Sequence, residues 1–255
     1  MPESLVYAAQ SITGCVRAHN EDALLCAPDL GLWAVADGMG GHQRGEVASA
    51  VAVAALRDAV AAGQDLEAAV QAAHRAVVVA ASGSGMGTTL VAVRFAGADF
   101  DLAWAGDSRA YRVGADSITR LSHDHSLVQL LVDAGELTPQ QARRHPRRNV
   151  VTQCLGQLHQ VLEVGCARGT LAPGELLLLC SDGLTGELGD DQIQAQCATV
   201  ETLEDLVAQL LAQACDAGGR DNVSCIVIGM TLPETTLVAN RSNSFLSRLL
   251  KSRRP

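Results

Sequence analysis

An apolar run that ends in an acid and then dissolves into glycine constrains this chain more than any other stretch. Residues 31–36 read as a buried strand. Val35-Ala36-Asp37-Gly38-Met39-Gly40-Gly41-His42 closes that run, and an alanine-rich helical pattern begins near Gly45. Glycine lets the main chain approach a ligand closely and adopt angles that other residues avoid. A carboxylate beside an unencumbered carbonyl offers hard oxygen donors, the kind a hard cation prefers. One acid cannot hold such a cation, so the positions of the other acids decide what the stretch is for.

Along the chain, strands are expected over residues 4–11, 23–27 and 31–36. A helical pattern with Ala and Val at 3.6-residue spacing follows from 45 to 81, broken at Gly63, with Asp65 as N-cap of its second half. Strands resume over 88–95 and 99–105, and Gly106-Asp107-Ser108-Arg109 reads as a hairpin-like turn into 110–113. A strand at 117–121, a helix at 125–135 and a short helix opened by Thr138-Pro139 come next. Strands at 161–167 and 175–180, helices near 190–198 and 202–217, and a last strand at 222–230 complete the order. Helices in pairs between runs of adjacent strands suit an α+β architecture of sheets flanked by helical layers rather than alternating βαβ units.

Composition narrows the partners. The 255-residue chain carries 28 acidic against 19 basic side chains, a net charge of −9, which argues against phosphate-backbone binding to nucleic acid. Residues 233–255 hold five basic side chains against Glu234 alone, which leaves −13 on the remainder. In this basic tail Phe245, Leu246, Leu249 and Leu250 share a helical face, but a helix so short is marginal alone, and a disordered tail is the expectation. The eight cysteines include no C-x-x-C pair, and none has Arg six positions later as cysteine phosphatase chemistry requires, so free thiols in a reducing cytoplasm are expected. No run is long and apolar enough to span a membrane, and Lys251 is the only lysine, which removes P-loop and Schiff-base lysines from the body.

Asp37 and Asp182 each follow a strongly apolar strand and precede Gly, Asp221 stands immediately before the last strand, Glu21-Asp22 before the second, and Asp107 in a turn. Strand ends at one edge of a sheet pair can converge. Clustered ionised carboxylates near a core repel unless a cation intervenes. An oxygen-only donor set points to Mg²⁺ or Mn²⁺ rather than Zn²⁺. Two such ions would activate water, and Arg17 could grip a phosphate in bidentate fashion, so the chemistry predicted is in-line hydrolysis of a phosphoester. Taken singly, Asp-Gly is a turn dipeptide. Spacing alone leaves a metal site and a set of ordinary turns equally open.

Six motifs in order then identify a resemblance. Arg17-x-x-Asn20-Glu21-Asp22, Ala36-Asp37-Gly38-Met39-Gly40-Gly41-His42, Gly87-Thr88-Thr89, Gly106-Asp107-Ser108-Arg109, Ser181-Asp182-Gly183-Leu184 and Arg220-Asp221-Asn222 resemble the bacterial PP2C-type (PPM) protein phosphatases over about residues 5–230. The resemblance implies a four-layer α-β-β-α sandwich and a dinuclear Mn²⁺/Mg²⁺ centre, with a weaker third ion. By position, Asp37 matches the acid bridging both ions, Gly38 offers a carbonyl, and Asp182 and Asp221 match ligands of the pair. Asp22, and less directly Glu21, match residues that hold metal-bound waters, Asp107 the acid of the third ion, and Arg17 the phosphate-binding arginine. Eukaryotic members carry His directly after Asp-Gly, whereas this chain has Met39; His42 is the candidate for assisting the leaving group, with a water on the third ion as the alternative.

The same resemblance makes residues 1–232 the phosphatase domain, with a flap over about 136–160 and a basic tail at 233–255. Arg147 and Arg148 in the flap are candidates for binding acidic or phosphorylated substrate, against a solvated helix face. The expected enzyme is a cytoplasmic, monomeric serine/threonine phosphatase acting on phosphoproteins made by a partner kinase. Two rivals are a regulatory phosphatase of an anti-sigma antagonist and a pseudophosphatase that binds phosphoprotein without turnover.

Overall fold

The computed structural model describes residues 5–40, 44–83, 85–158, 161–197 and 200–230. His42 and the basic tail lie outside the described residues. Two antiparallel sheets form the centre. One is ordered β1 (Leu5–Ile12), β11 (Val223–Met230), β10 (Leu176–Cys180), β7 (Arg109–Val113), β8 (Ile118–Arg120). The other runs β2 (Asp22–Ala27), β3 (Leu32–Met39), β5 (Leu90–Ala96), β6 (Asp99–Ala105), β9 (Gly165–Thr170), with the short β4 (Gly87–Thr88) paired to β3.

Side-chain alternation sorts β10 between two cores. Leu177 and Leu179 face the other sheet and pack with Trp33, Val35, Val91, Val93, Ile226 and Ile228. Leu176, Leu178 and Cys180 face outward, onto helices α6 (Asp190–Cys197) and α7 (Leu203–Asp216). A strand buried on both faces needs no polar alternation, which is why residues 176–180 read as a continuous apolar run. Each such leucine contributes about 2–3 kcal/mol by burial. On the opposite side α1 (Arg44–Ala61) and α2 (Leu66–Ala81) lay Ala48, Ala52, Leu56, Ala69, Val70, Ala73 and Val77 over Ala34, Ala36, Leu90, Ala92, Ala103 and Ala105. The expected four-layer sandwich is therefore present.

Local signals hold at several ends. Asp65 caps α2 through a hydrogen bond from the Ala68 N–H, and Thr138 with Gln141 forms a capping box on α4 (Pro139–Arg143). The helix expected at 125–135 is the shorter α3 (Leu127–Asp133), capped by Ser126. Three expectations need correction. The turn at 106–109 does not make a hairpin: β6 pairs with β5 and β9, while β7 pairs with β10 and β8, so this turn crosses between sheets through Gly106 at φ 113°. The expected strand at 161–167 forms later, as Gly165–Thr170. Residues 182–185 close into one helical turn, α5 (Asp182–Thr185), and β3 continues through Asp37 and Gly38 to Met39.

Candidate active site

The acids meet where strands of both sheets end together. Asp22 opens β2 directly opposite Asp37 on β3, because the two strands pair antiparallel in that register. In the other sheet, β10 runs into Asp182 and β11 starts just after Asp221; these strands are neighbours, with Cys180 opposite Cys225. Arg17, Glu21, Asp37, Gly38, Asp107, Asp182 and Asp221 line one cleft of about 310 Å³. Backbone proximity makes this possible. A Cβ on Gly183 would lie 1.9 Å from the Asn222 carbonyl, and one on Gly38 would lie 2.1 Å from the Gly45 carbonyl and 2.5 Å from that of Glu21. No larger residue fits either position without moving a main chain.

Supporting hydrogen bonds fix the carboxylates. Asp22 Oδ2 accepts from Ser224 Oγ at 2.6 Å and Ser181 Oγ at 2.9 Å, one serine from each flanking segment of the other sheet. The Asp37 carbonyl accepts from the Thr89 N–H and Thr88 Oγ1, and the Asp37 N–H donates to Thr89 Oγ1. Asn222 accepts from the Glu21 N–H at 2.8 Å and donates to the Thr13 and His19 carbonyls, tying the Arg17 loop to the Asp221 loop. Arg17 Nη2 donates to Asp221 Oδ2 at 2.7 Å, and this bond first of all raises the arginine's pKa.

The acids are left in want of positive charge. Burial lifts Asp22 to about 7, against the opposing hydrogen bonds from Ser224 and Ser181. Burial, then the charges of Asp182 and Asp22, drives Asp37 well above the usual carboxylate range. Burial and the Asp221 charge raise Asp182, although a hydrogen bond with the Asp37 carboxyl opposes it. Asp107 rises well above its ordinary value through burial, then through Asp182 and Asp124. Asp22 Oδ1 and Asp182 Oδ1 are buried without any hydrogen-bond partner. Two orphaned carboxylate oxygens among repelling acids form a hard-oxygen donor set that fits Mg²⁺ or Mn²⁺. Among the described residues no three acidic, His or Cys side chains close on a single point, so the fit rests on these orphaned oxygens and the shared cleft.

The flap arginines divide. Arg148 lines a second cleft of about 350 Å³ that adjoins the first through Asp107, Asn149 and Asp182. Arg147 is exposed and lines neither cleft. Arg143 donates to the Thr185 and Leu188 carbonyls and fastens α4 to the body. Asp124 is held by Arg109 and Arg120, and His123 by Asp133. Sequence reasoning did not single out Ser181, Ser224, Thr88, Thr89 or Asn222 for a role at the site. Thr88, Thr89, Ser181 and Asn222 stood inside recognised motifs, so their adjacency to the acids was the available signal; Ser224, inside an apolar strand, gave none beyond being polar there.

Helix-clad paired sheets with an acidic cleft at one end match the architecture that the motifs imply for a metal-dependent protein phosphatase. The chain belongs to the protein phosphatase 2C family, whose model matches residues 16–222. It is 40% identical over 233 residues to the serine/threonine protein phosphatase PstP of Mycobacterium tuberculosis, covering 88% of this chain but only 44% of PstP, so it spans less than half of that relative's length. It is 34% identical to the serine/threonine phosphatase stp of Listeria innocua, covering 86% of this chain and 93% of stp. The solved catalytic domain of PstP in complex with two manganese ions superposes with a TM-score of 0.80 at 36% identity, covering 89% of this chain and 99% of that one.

Proposed function

We propose that this chain hydrolyses phosphoserine and phosphothreonine in proteins, with Mn²⁺ or Mg²⁺ held by Asp37, the Gly38 carbonyl, Asp182 and Asp221. The observation that carries the reading is the meeting of these acids with Arg17 in one cleft, with buried oxygens of Asp22 and Asp182 left unpartnered. The two ions carried by the PstP catalytic domain support the same stoichiometry here. Bound divalent ions supply the Lewis acidity that activates water and offsets phosphoryl charge. Asp22, braced by Ser181 and Ser224, and Glu21 would orient water beside the bound cations, and Asp107 suits a weaker third cation. Arg17, already paired with Asp221 at the cleft, presents a planar fork suited to two phosphoryl oxygens. His42, outside the described residues, is the candidate proton donor to the leaving serine or threonine oxygen, and a water beside Asp107 is the alternative.

The same reading assigns residues 1–232 to the phosphatase unit and places the protein in the cytoplasm as a monomer. Its substrates are products of a serine/threonine kinase, with Arg148, at the adjoining cleft, and Arg147 meeting their acidic flanks. No helix among the described residues is long and apolar enough to cross a membrane. Hydrolysis of p-nitrophenyl phosphate and of a phosphothreonine peptide tests the proposal. Turnover is expected with Mn²⁺, lost with EDTA and lost in Asp182→Asn. Metal-independent turnover contradicts the mechanism, and metal binding without turnover in the unmodified chain marks a pseudophosphatase.

A further inference from the structure

Of the eight cysteines four are buried, Cys26 and Cys215 are half-buried, and Cys15 and Cys166 are exposed. Cys154, Cys180, Cys197 and Cys225 are buried, and the last three lie close together beneath the α6–α7 layer, out of reach of any solute. Cys15 is exposed in the turn before Arg17, and its thiol sits against the half-buried Cys215 at the end of α7. The Cys15 Sγ lies 3.9 Å from the Cys215 carbonyl, and the Cys215 thiol is held above its usual pKa by burial first and then by the neighbouring Cys15 thiol. The surrounding main chain already joins the two loops. The Cys15 N–H donates to the Gly219 carbonyl at 2.7 Å, a Cβ on Gly219 would meet Cys15 Sγ at 2.8 Å, and a Cβ on Gly14 would meet the Asp221 carbonyl at 2.1 Å. These contacts hold the Cys15 thiol beside the residue it would join.

We propose that Cys15 and Cys215 form a peroxide-sensitive thiol pair, which oxidation converts to a disulfide tethering the Arg17 loop to the Asp221 loop. The peroxide O–O bond breaks as the exposed Cys15 sulfur takes one oxygen, giving a sulfenic acid and one water. The Cys215 sulfur then attacks the Cys15 sulfur, the S–S bond forms, and the hydroxyl leaves with the second thiol proton as another water. Two thiols and one peroxide thus give one disulfide and two waters, the peroxide being reduced by two electrons. A dithiol reductant reverses the change by exchange.

Formation of the bond is independent of the phosphatase reading, whereas its effect on the site rests on it. Arg17 stands two residues beyond Cys15 and is bonded to Asp221 six residues beyond Cys215. A tether across the base of both loops restrains Arg17 from leaving Asp221 to meet a phosphoryl group.

The test treats the full chain with hydrogen peroxide, blocks remaining thiols with an alkylating agent and maps cysteines by mass spectrometry. The expected product is an intramolecular Cys15–Cys215 link, absent in Cys15→Ser and in Cys215→Ser and removed by dithiothreitol. Free Cys215 beside a sulfinic or alkylated Cys15, or a Cys15 link to any other cysteine, overturns the pair. In parallel, KM for p-nitrophenyl phosphate with Mn²⁺ should rise several-fold on oxidation with a smaller change in kcat. Cys215→Ser should keep the reduced protein's KM under the same treatment. A linked protein with unchanged KM overturns the coupling to Arg17 while leaving the hydrolytic reading untouched; no turnover in the reduced protein fails that reading instead.

Discussion

Two groups of acids meet near Asp107, and the chain treats them in opposite ways. Asp124, with its side chain 6% exposed, is enclosed by cations: Arg109 Nη2 lies at 2.6 Å, its Nε reaches both carboxylate oxygens, and Arg120 stands at 3.4 Å. Burial works against the Arg109 charge, but Asp124 outweighs it and holds the guanidinium well above its usual pKa. Across Asp107, the carboxyls of Asp22, Asp37 and Asp182 face one another with two oxygens unpartnered, and Arg17 bonds to the rim acid Asp221. The proposed function follows this difference: the acid neutralised internally is structural, and the group left in mutual repulsion is the one proposed to take a cation from outside.

The largest expected effect separates the two groups by activity. Asp37→Asn removes a central oxygen donor while keeping shape, and Mn²⁺-dependent turnover should fall by about 1000-fold, equivalent to about 4 kcal/mol of transition-state stabilisation. The metal-free fold should not weaken, because a repelling charge has been removed. Steady-state kinetics and thermal melting of the same preparation check both halves. Melting that drops sharply would mean Asp37 is a structural residue.

Asp124→Asn should do the reverse. Loss of the charge leaves Arg109 largely enclosed and unpaired, at a cost of about 3 kcal/mol in stability. Urea denaturation reads that loss, and the surviving folded fraction should keep most of its metal-dependent turnover. An unchanged midpoint would erase the distinction between the groups.

A smaller effect sharpens the comparison through pH. Asp22, Asp37, Asp107 and Asp182 all have folded-state pKa values raised above their unfolded ones, so the metal-free folded chain binds more protons than the unfolded chain. Their stabilising contribution is full below about pH 4 and is lost as pH rises, for Asp22 through about 7. Melting of the EDTA-treated protein should therefore decline by several degrees between about pH 5 and 8, and Mn²⁺ should remove most of that decline. A metal-free Tm that climbs over this range contradicts the electrostatic account.

How far the sequence reached depends on whether a feature was local. The α2 cap at Asp65, the helix opened by Thr138-Pro139 and the apolar strand ending at Cys180 all follow from short-range pattern, and each appears in the fold. Which sheet a strand joins is not local. Gly106-Asp107-Ser108-Arg109 has the composition of a hairpin turn, yet it crosses from β6 in one sheet to β7 in the other. At the site, the acids were legible because a carboxylate at the end of an apolar strand is costly without a partner. The hydroxyl and amide groups that brace them were not, since Ser224, Ser181 and Asn222 gain meaning only when segments about 200 residues apart along the chain, such as 11–22 and 221–224, come together.

The most direct test of the reserved-cation account is a calorimetric titration of the EDTA-stripped chain with Mn²⁺, run beside Asp182→Asn and Asp124→Asn. The account predicts two ions per unmodified chain, loss of at least one in Asp182→Asn, and two retained in Asp124→Asn. Equal binding by the unmodified chain and Asp182→Asn, or no binding by either, would contradict it.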